Sequence, residues 1–172
     1  MEPFENFPTY VFATVNPGRS AKVVEELKHH NRVDLIAPVT GKFDLALRLK
    51  HGTPMEVYDE IKKIREIPDV RTTITHTTFE GVQPSKKIEN EKPLGFTLLN
   101  IERMPFKEAI DELGKVPGLV EAFTVDGECD IVALWQGRTT EEIMKNSFER
   151  LNDLEGFHNH ETLFVRTPFF KP

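Results

Sequence analysis

The apolar positions of residues 8–80 alternate between two periods. Tyr10–Val15 is a short run rich in β-branched and aromatic residues, a strand. After the Asn16-Pro17-Gly18 turn, Val23, Val24 and Leu27 recur at helical spacing behind Ser20, a helix-capping residue type. Val33–Val39 and Phe43–Lys50 return to strand composition on either side of Thr40-Gly41-Lys42, which reads as a hairpin. Thr53 then caps a second helix over "TPMEVYDEIKKIREI", with Pro54 at its first position and Val57, Ile61 and Ile64 along the inner stripe. Asp69 and Val70 open a last strand to Phe79. The order β-α-β-β-α-β is the split βαβ unit.

The pattern returns after a shift of 86 residues. Tyr10–Val15 falls on Phe96–Ile101, Val23, Val24 and Leu27 on Ala109, Ile110 and Leu113, Gly41 on Gly127, Asp44 on Asp130 and Thr53 on Thr139. The register slips by one residue only near the end, where Ile67-Pro68-Asp69-Val70 matches Leu154-Glu155-Gly156-Phe157. The expected organisation is a first domain at 8–80, a polar, proline-punctuated linker at 81–93 and a second domain at 94–172. The expected fold class is α+β, two tandem ferredoxin-like βαββαβ units of the dimeric α/β-barrel type. Right-handed crossovers put both helices on one face of each antiparallel sheet. The other face, with strands such as "DLALRL" and "DIVALW", needs a cover, so the sheets are expected to pack face to face, within the chain or between chains.

Composition changes the picture mainly by exclusion. The chain has 172 residues and a net charge of −6, with 38% hydrophobic and 29% charged residues, ordinary for a folded soluble protein. No basic, apolar leader and no membrane-length apolar run is present, so a cytoplasmic location without membrane contact is expected. Residues 1–90 carry 13 Lys and Arg against 13 Asp and Glu, and residues 91–172 carry 9 against 15, which disfavours direct nucleic-acid binding. Cys129 is the single cysteine, and acidic Glu128 and Asp130 beside it oppose thiolate formation. No phosphate loop, Ser-His-Asp signature or C-x-x-C motif appears. The expectation is a non-enzymatic chain without a cofactor.

The segments "VDLIAPVTGKFD" and "PGLVEAFTVDGECDIVALW" resemble the effector-binding domain of the Lrp/AsnC regulators, the RAM module. The likeness covers Tyr10–Phe79 and Phe96–Val165; the second copy has Asp126 where the pattern has Thr, and the first has His30-Asn31-Arg32 where Pro-Gly is usual. The resemblance implies a small-molecule effector, an amino acid, bound near the hairpin turns at subunit interfaces, in a homo-oligomer or with a partner regulator. The family's helix-turn-helix has no counterpart in the nine residues before Tyr10, which implies a stand-alone sensing and assembly module acting on regulatory complexes.

Ligand-binding candidates are therefore Thr40, Gly41, Lys42 and Asp44, with Asp126, Gly127 and Asp130 in the second copy. Each Gly-x-x-Asp set has two readings. It can shape a turn, the Asp accepting local backbone N–H bonds. It can also hold an amino acid, turn N–H groups taking the carboxylate and the Asp the ammonium. Thr40 and Lys42 favour the first turn for that role, whereas Asp126 and Glu128 repel a carboxylate. His158 and His160, two apart on a strand, form an alternative transition-metal pair, with His29-His30 or His76 to complete a shell. A further alternative is a dimeric α/β-barrel enzyme acting on a small molecule or haem-type substrate, since fold alone does not exclude it.

Overall fold

The computed structural model describes residues 7–85, 87–154, 156–165 and 167–171, without the side chains of residues 158–160. They divide into two compact units. Unit 1 takes the chain up to Thr77 together with the segment from Pro168, and unit 2 takes Thr78–Thr167.

Unit 1 runs β1 (Thr9–Val15), α1 (Ser20–Leu27), β2 (Val33–Pro38), β3 (Leu45–Leu49), α2 (Pro54–Arg65) and the first part of β4 (Val70–Val82). Its antiparallel sheet has the order β4-β1-β3-β2. Alternation along the strands sends Val11, Ala13, Val15, Leu45, Leu47 and Leu49 to the helix side, where they bury against Val23, Leu27 and Ile64. The N-terminus of α2 is held by a capping box: Glu56 N donates to Thr53 Oγ1 at 3.2 Å and Thr53 N to Glu56 Oε1 at 3.0 Å. Helix α1 has no such device. Ser20, expected to cap it, is its first helical residue, and Arg19 at the cap position makes no side-chain cap bond.

Unit 2 repeats the order with β5 (Leu94–Ile101), α3 (Phe106–Gly114), β6 (Leu119–Val125), β7 (Ile131–Gln136), a second helix and β8 (Phe157–Val165), its sheet reading β8-β5-β7-β6. Its core gathers Leu99, Leu113, Ile131, Ala133, Leu151 and Trp135, whose indole N–H donates to Thr97 Oγ1 at 2.9 Å. The second helix is α4 (Thr140–Met144), a π-helical turn (Lys145–Glu149) and α5 (Arg150–Asn152) in unbroken succession. A π-turn accommodates one surplus residue in an α-helix. It absorbs the slip seen in the sequence: Val15 pairs with Val70 in unit 1, and Ile101 with Phe157, one residue further on, in unit 2.

The fold class is α+β with antiparallel sheets, as the alternating periods imply. On the helix-free faces Tyr10, Phe12, Leu35 and Ala46 of unit 1 and Phe96, Phe123, Val132 and Leu134 of unit 2 are all fully buried. The stretch 81–93, expected as a linker, begins inside β4: Gly81 and Val82 pair with Phe123 and Ala122. Glycine is needed there, because a Cβ at Gly81 would collide with the Ala122 carbonyl and the Phe123 ring. The terminal strand β9 (Phe169–Phe170), counted from the sequence with the second copy, pairs with β2 of unit 1. Phe169 joins the unit 1 core and Lys171 N donates to Asp34 O at 2.7 Å. Among the described residues no helix is long and apolar enough to cross a membrane.

Candidate functional site

The two Gly-x-x-Asp turns have one construction. Gly41 has φ +116° and Gly127 φ +100°, conformations that strain any residue carrying a Cβ. In unit 1 Val39 N donates to Asp44 O, Asp44 N to Ala13 O, and Val15 N to Asp44 Oδ2 at 2.9 Å. In unit 2 Val125 N donates to Asp130 O, Asp130 N to Leu99 O, and Ile101 N to Asp130 Oδ2, again at 2.9 Å. Every atom matches its counterpart at the 86-residue shift. Each aspartate thus ties the hairpin turn to the end of the first strand of its unit, with one carboxylate oxygen occupied.

The surroundings differ. Thr40, Gly41 and Lys42 are exposed and Asp44 is half-buried, with the Lys42 ammonium 5.4 Å from the Phe43 ring centroid. Phe43 in turn stacks on Phe12 at 5.3 Å. In unit 2 Asp126 and Gly127 are exposed, Asp130 is half-buried and Cys129 is buried. The first turn therefore presents a hydroxyl and an ammonium to solvent, the second a carboxylate.

At the opposite end of the β2–β3 hairpin lies a feature that motif reading missed. A cavity of about 610 Å³ opens between the α1–β2 and β3–α2 connections, lined by His29, His30, Arg32, Lys50, Glu60 and Lys63 among others. His30 Nδ1 and Glu60 Oε2 are 2.8 Å apart, both largely buried. Arg32 donates to Glu56 Oε2 at 2.6 Å and to the His51 carbonyl at 3.0 Å. Beside the cavity Lys171 Nζ donates to the carbonyls of His30 and Lys28 at 2.8 and 3.1 Å. Burial, then the neighbouring Lys50, holds the Lys171 ammonium below the ordinary lysine range, against the opposing pull of Asp34 and Glu60. The sequence did carry a signal: Glu60 sits on the inner stripe of α2 beside Val57, Ile61 and Ile64, where a carboxylate needs a buried partner.

The equivalent place in unit 2 is a cavity of about 650 Å³ lined by Lys92, Lys115, Val116, Pro117, Gly118 and Gln136 among others. Nearby in β6, burial pushes the Glu121 carboxyl up to about 8, with Gln83 Nε2 donating to its Oε1 at 3.3 Å.

Among the described residues no three His, Cys, Asp or Glu side chains are placed to hold a metal ion. His158 and His160 belong to β8, but their side chains lie outside the described residues. His76 is buried edge-on against Phe12 at 5.7 Å.

No family model matches the chain. Over 146 residues, 84% of this chain and 85% of the relative, it is 23% identical to the HTH-type transcriptional regulator FL11 of Pyrococcus furiosus. This weak similarity supports the likeness to regulators. Among the described residues every helix runs between strands, so no helix-turn-helix is present. The fold is shared with the siroheme decarboxylase NirDL, at TM-score 0.65 and 12% identity over 98% of this chain and 74% of that one. It is shared also with a mutant chlorite dismutase from Candidatus Nitrospira defluvii, at TM-score 0.60 and 8% identity over 96% and 92%. These structures overturn the expectation of a non-enzymatic chain. Absence of familiar catalytic motifs argued against catalysis, yet this fold carries enzymes whose chemistry is not announced by such motifs.

Proposed function

We propose that the chain is a ligand-sensing regulatory module of the Lrp/AsnC type, built from two effector domains in tandem. The observation that carries this reading is the similarity to a transcriptional regulator across 84% of the chain. The matched turn bonding at Gly41–Asp44 and Gly127–Asp130 supports the tandem duplication. The ligand is a small polar metabolite, an amino acid, seated at the Thr40–Asp44 turn. Exposed Thr40 and Lys42 serve its carboxylate, and Asp44 Oδ1, which makes no hydrogen bond among the described residues, serves its ammonium. The module is cytoplasmic and works as a homo-oligomer or with a partner regulator, influencing transcription through that assembly and not by direct DNA contact.

A thermal-shift screen of the standard amino acids tests it. One or a few of them raise Tm, and Asp44→Ala or Gly41→Val abolishes the rise while Asp130→Ala does so less. A panel in which no amino acid stabilises the protein overturns the ligand assignment. Fluorescence anisotropy with duplex DNA at physiological salt tests the regulatory half, and tight, sequence-dependent binding by the chain alone overturns it.

A second reading rests on the 98% coverage of the chain by the siroheme decarboxylase fold: an enzyme acting on a haem-type substrate. Equimolar titration with haem and with sirohaem, followed by the Soret band, separates the two. A saturable spectral shift favours the enzyme.

A further inference from the structure

The cavity of unit 1 holds cations without counter-ions. Among the described residues the side chains of Lys50 and Lys63 make no hydrogen bond or ion pair, and neither do the imidazoles of His29 and His51. Of the two carboxylates in the lining, Glu60 is taken by His30, which leaves exposed Glu26. Lys171 adds a further ammonium at the margin, pinned by two carbonyls and repelled by Lys50.

Unit 2 provides a comparison at matching positions. In its matching cavity Lys92 pairs with Glu89 at 2.6 Å and Lys115 with Glu112 at 3.2 Å, and the further cations of the lining, Lys87 and Arg138, share it with Glu89 and Glu142. Val116 and Gly118 stand where unit 1 has His30 and Arg32. Gly118 disfavours any side chain: its φ of +87° strains a residue with a Cβ, which would also meet Gln136 O at 3.0 Å and Asn146 Nδ2 at 3.1 Å. The two units share a frame, yet at matching positions unit 1 carries an imidazole and a guanidinium where unit 2 has a hydrophobe and a glycine.

We infer that the unit 1 cavity binds a small dianion, a phosphate-bearing or dicarboxylate metabolite, through Lys50 and Lys63. His29 and His51 act as further donors, and the His30–Glu60 pair forms a fixed wall. The ammonium groups of Lys50, Lys63 and, at the margin, Lys171 face the one exposed carboxylate of Glu26, an excess of two positive charges that calls for a dianion. The volume suits a metabolite-sized guest. A cation has no comparable seat in this cavity, because among the described residues no three ligating side chains converge. The site is separate from the Thr40–Asp44 turn, which lies at the other end of the same hairpin.

Isothermal titration of the full chain with inorganic phosphate and with succinate tests this. At least one probe binds saturably, and the stronger identifies the anion class. In Lys50→Ala/Lys63→Ala the affinity falls by about tenfold or more, while Lys115→Ala in unit 2 and Asp44→Ala at the turn leave it unchanged. Circular dichroism confirms that these surface variants fold. The inference is overturned if neither probe gives saturable heat up to about 10 mM, or if the double lysine variant binds as the wild type does. Because Asp44→Ala removes the amino-acid response and leaves the anion affinity of the folded protein intact, failure of one site is distinguishable from failure of the other.

Discussion

Unit 1 and unit 2 are the same frame carrying different side chains. Main-chain bonds recur atom for atom around Asp44 and Asp130, and Thr53 and Thr139 each cap the second helix of their unit. What differs lies at places the frame leaves free. Leu49 of unit 1 stands where unit 2 has Trp135, buried Leu35 where unit 2 has buried Glu121, and an uninterrupted helix where unit 2 has a π-turn. The difference teaches that the fold depends on a few backbone-directed side chains and on alternation, while identity at core and cavity positions can drift.

The largest expected effect tests the cores. Trp135→Ala removes a fully buried indole and its hydrogen bond to Thr97 and costs roughly 4 kcal/mol. Leu49→Ala at the matching place costs roughly 3 kcal/mol. Urea denaturation followed by circular dichroism measures both, and a larger loss from Leu49→Ala breaks the ranking.

Next comes the buried acid. Glu121 keeps its proton in the folded state up to about pH 8, whereas the unfolded chain releases it near 4.5. Between those values the folded state binds more protons, so stability falls as pH rises through this window and levels off above it. The loss is on the order of a few kcal/mol. Glu121→Gln flattens the dependence, which urea midpoints across the window will show. A wild-type midpoint that does not fall over this range sinks the assignment.

The paired aspartates sharpen the equivalence itself. Asp44→Ala and Asp130→Ala each strip an acceptor from a strand N–H and should each cost about 1–3 kcal/mol, by similar amounts. A wide disparity in chemical denaturation means that the two turns do different structural work.

The smallest effect is expected from deleting Lys145. That residue is exposed and lies in the π-turn, so its removal converts the helix to the regular form of α2 and costs about 1 kcal/mol or less. Deleting Lys62 from α2, which has no surplus residue, is far more damaging, because Ile64 rotates out of the core. Thermal melts of the two deletions compare them directly.

Much of this frame was legible because it is written in period. The strand and helix order, the hairpin glycines and the Thr53 cap follow from spacing and turn chemistry that act locally. The inserted residue was visible as a slip, but its form was not, since a π-turn and a longer loop absorb one residue equally well in sequence. The cap of α1 was misplaced by a residue because Ser20 and Arg19 differ in chemistry but not in any pattern around them. The unit 1 cavity was hidden for a different reason. His30, Lys50 and Glu60 are separated in the chain and meet only once the hairpin and both helices are in place, so their neighbourhood is a property of packing. Only Glu60, polar on an apolar stripe, betrayed it.

The strand β9 gives the molecule an order in time. Phe169 and Phe170 bond to Ile36 and Leu35, so the edge of the first sheet waits for residues made after the whole of unit 2. While synthesis continues, β2 stands with unsatisfied main-chain groups along an apolar strand, a template for mispairing. Its pairing across so long a span of chain raises the contact order of the first sheet. Anything fused directly after Phe170 would compete with that pairing.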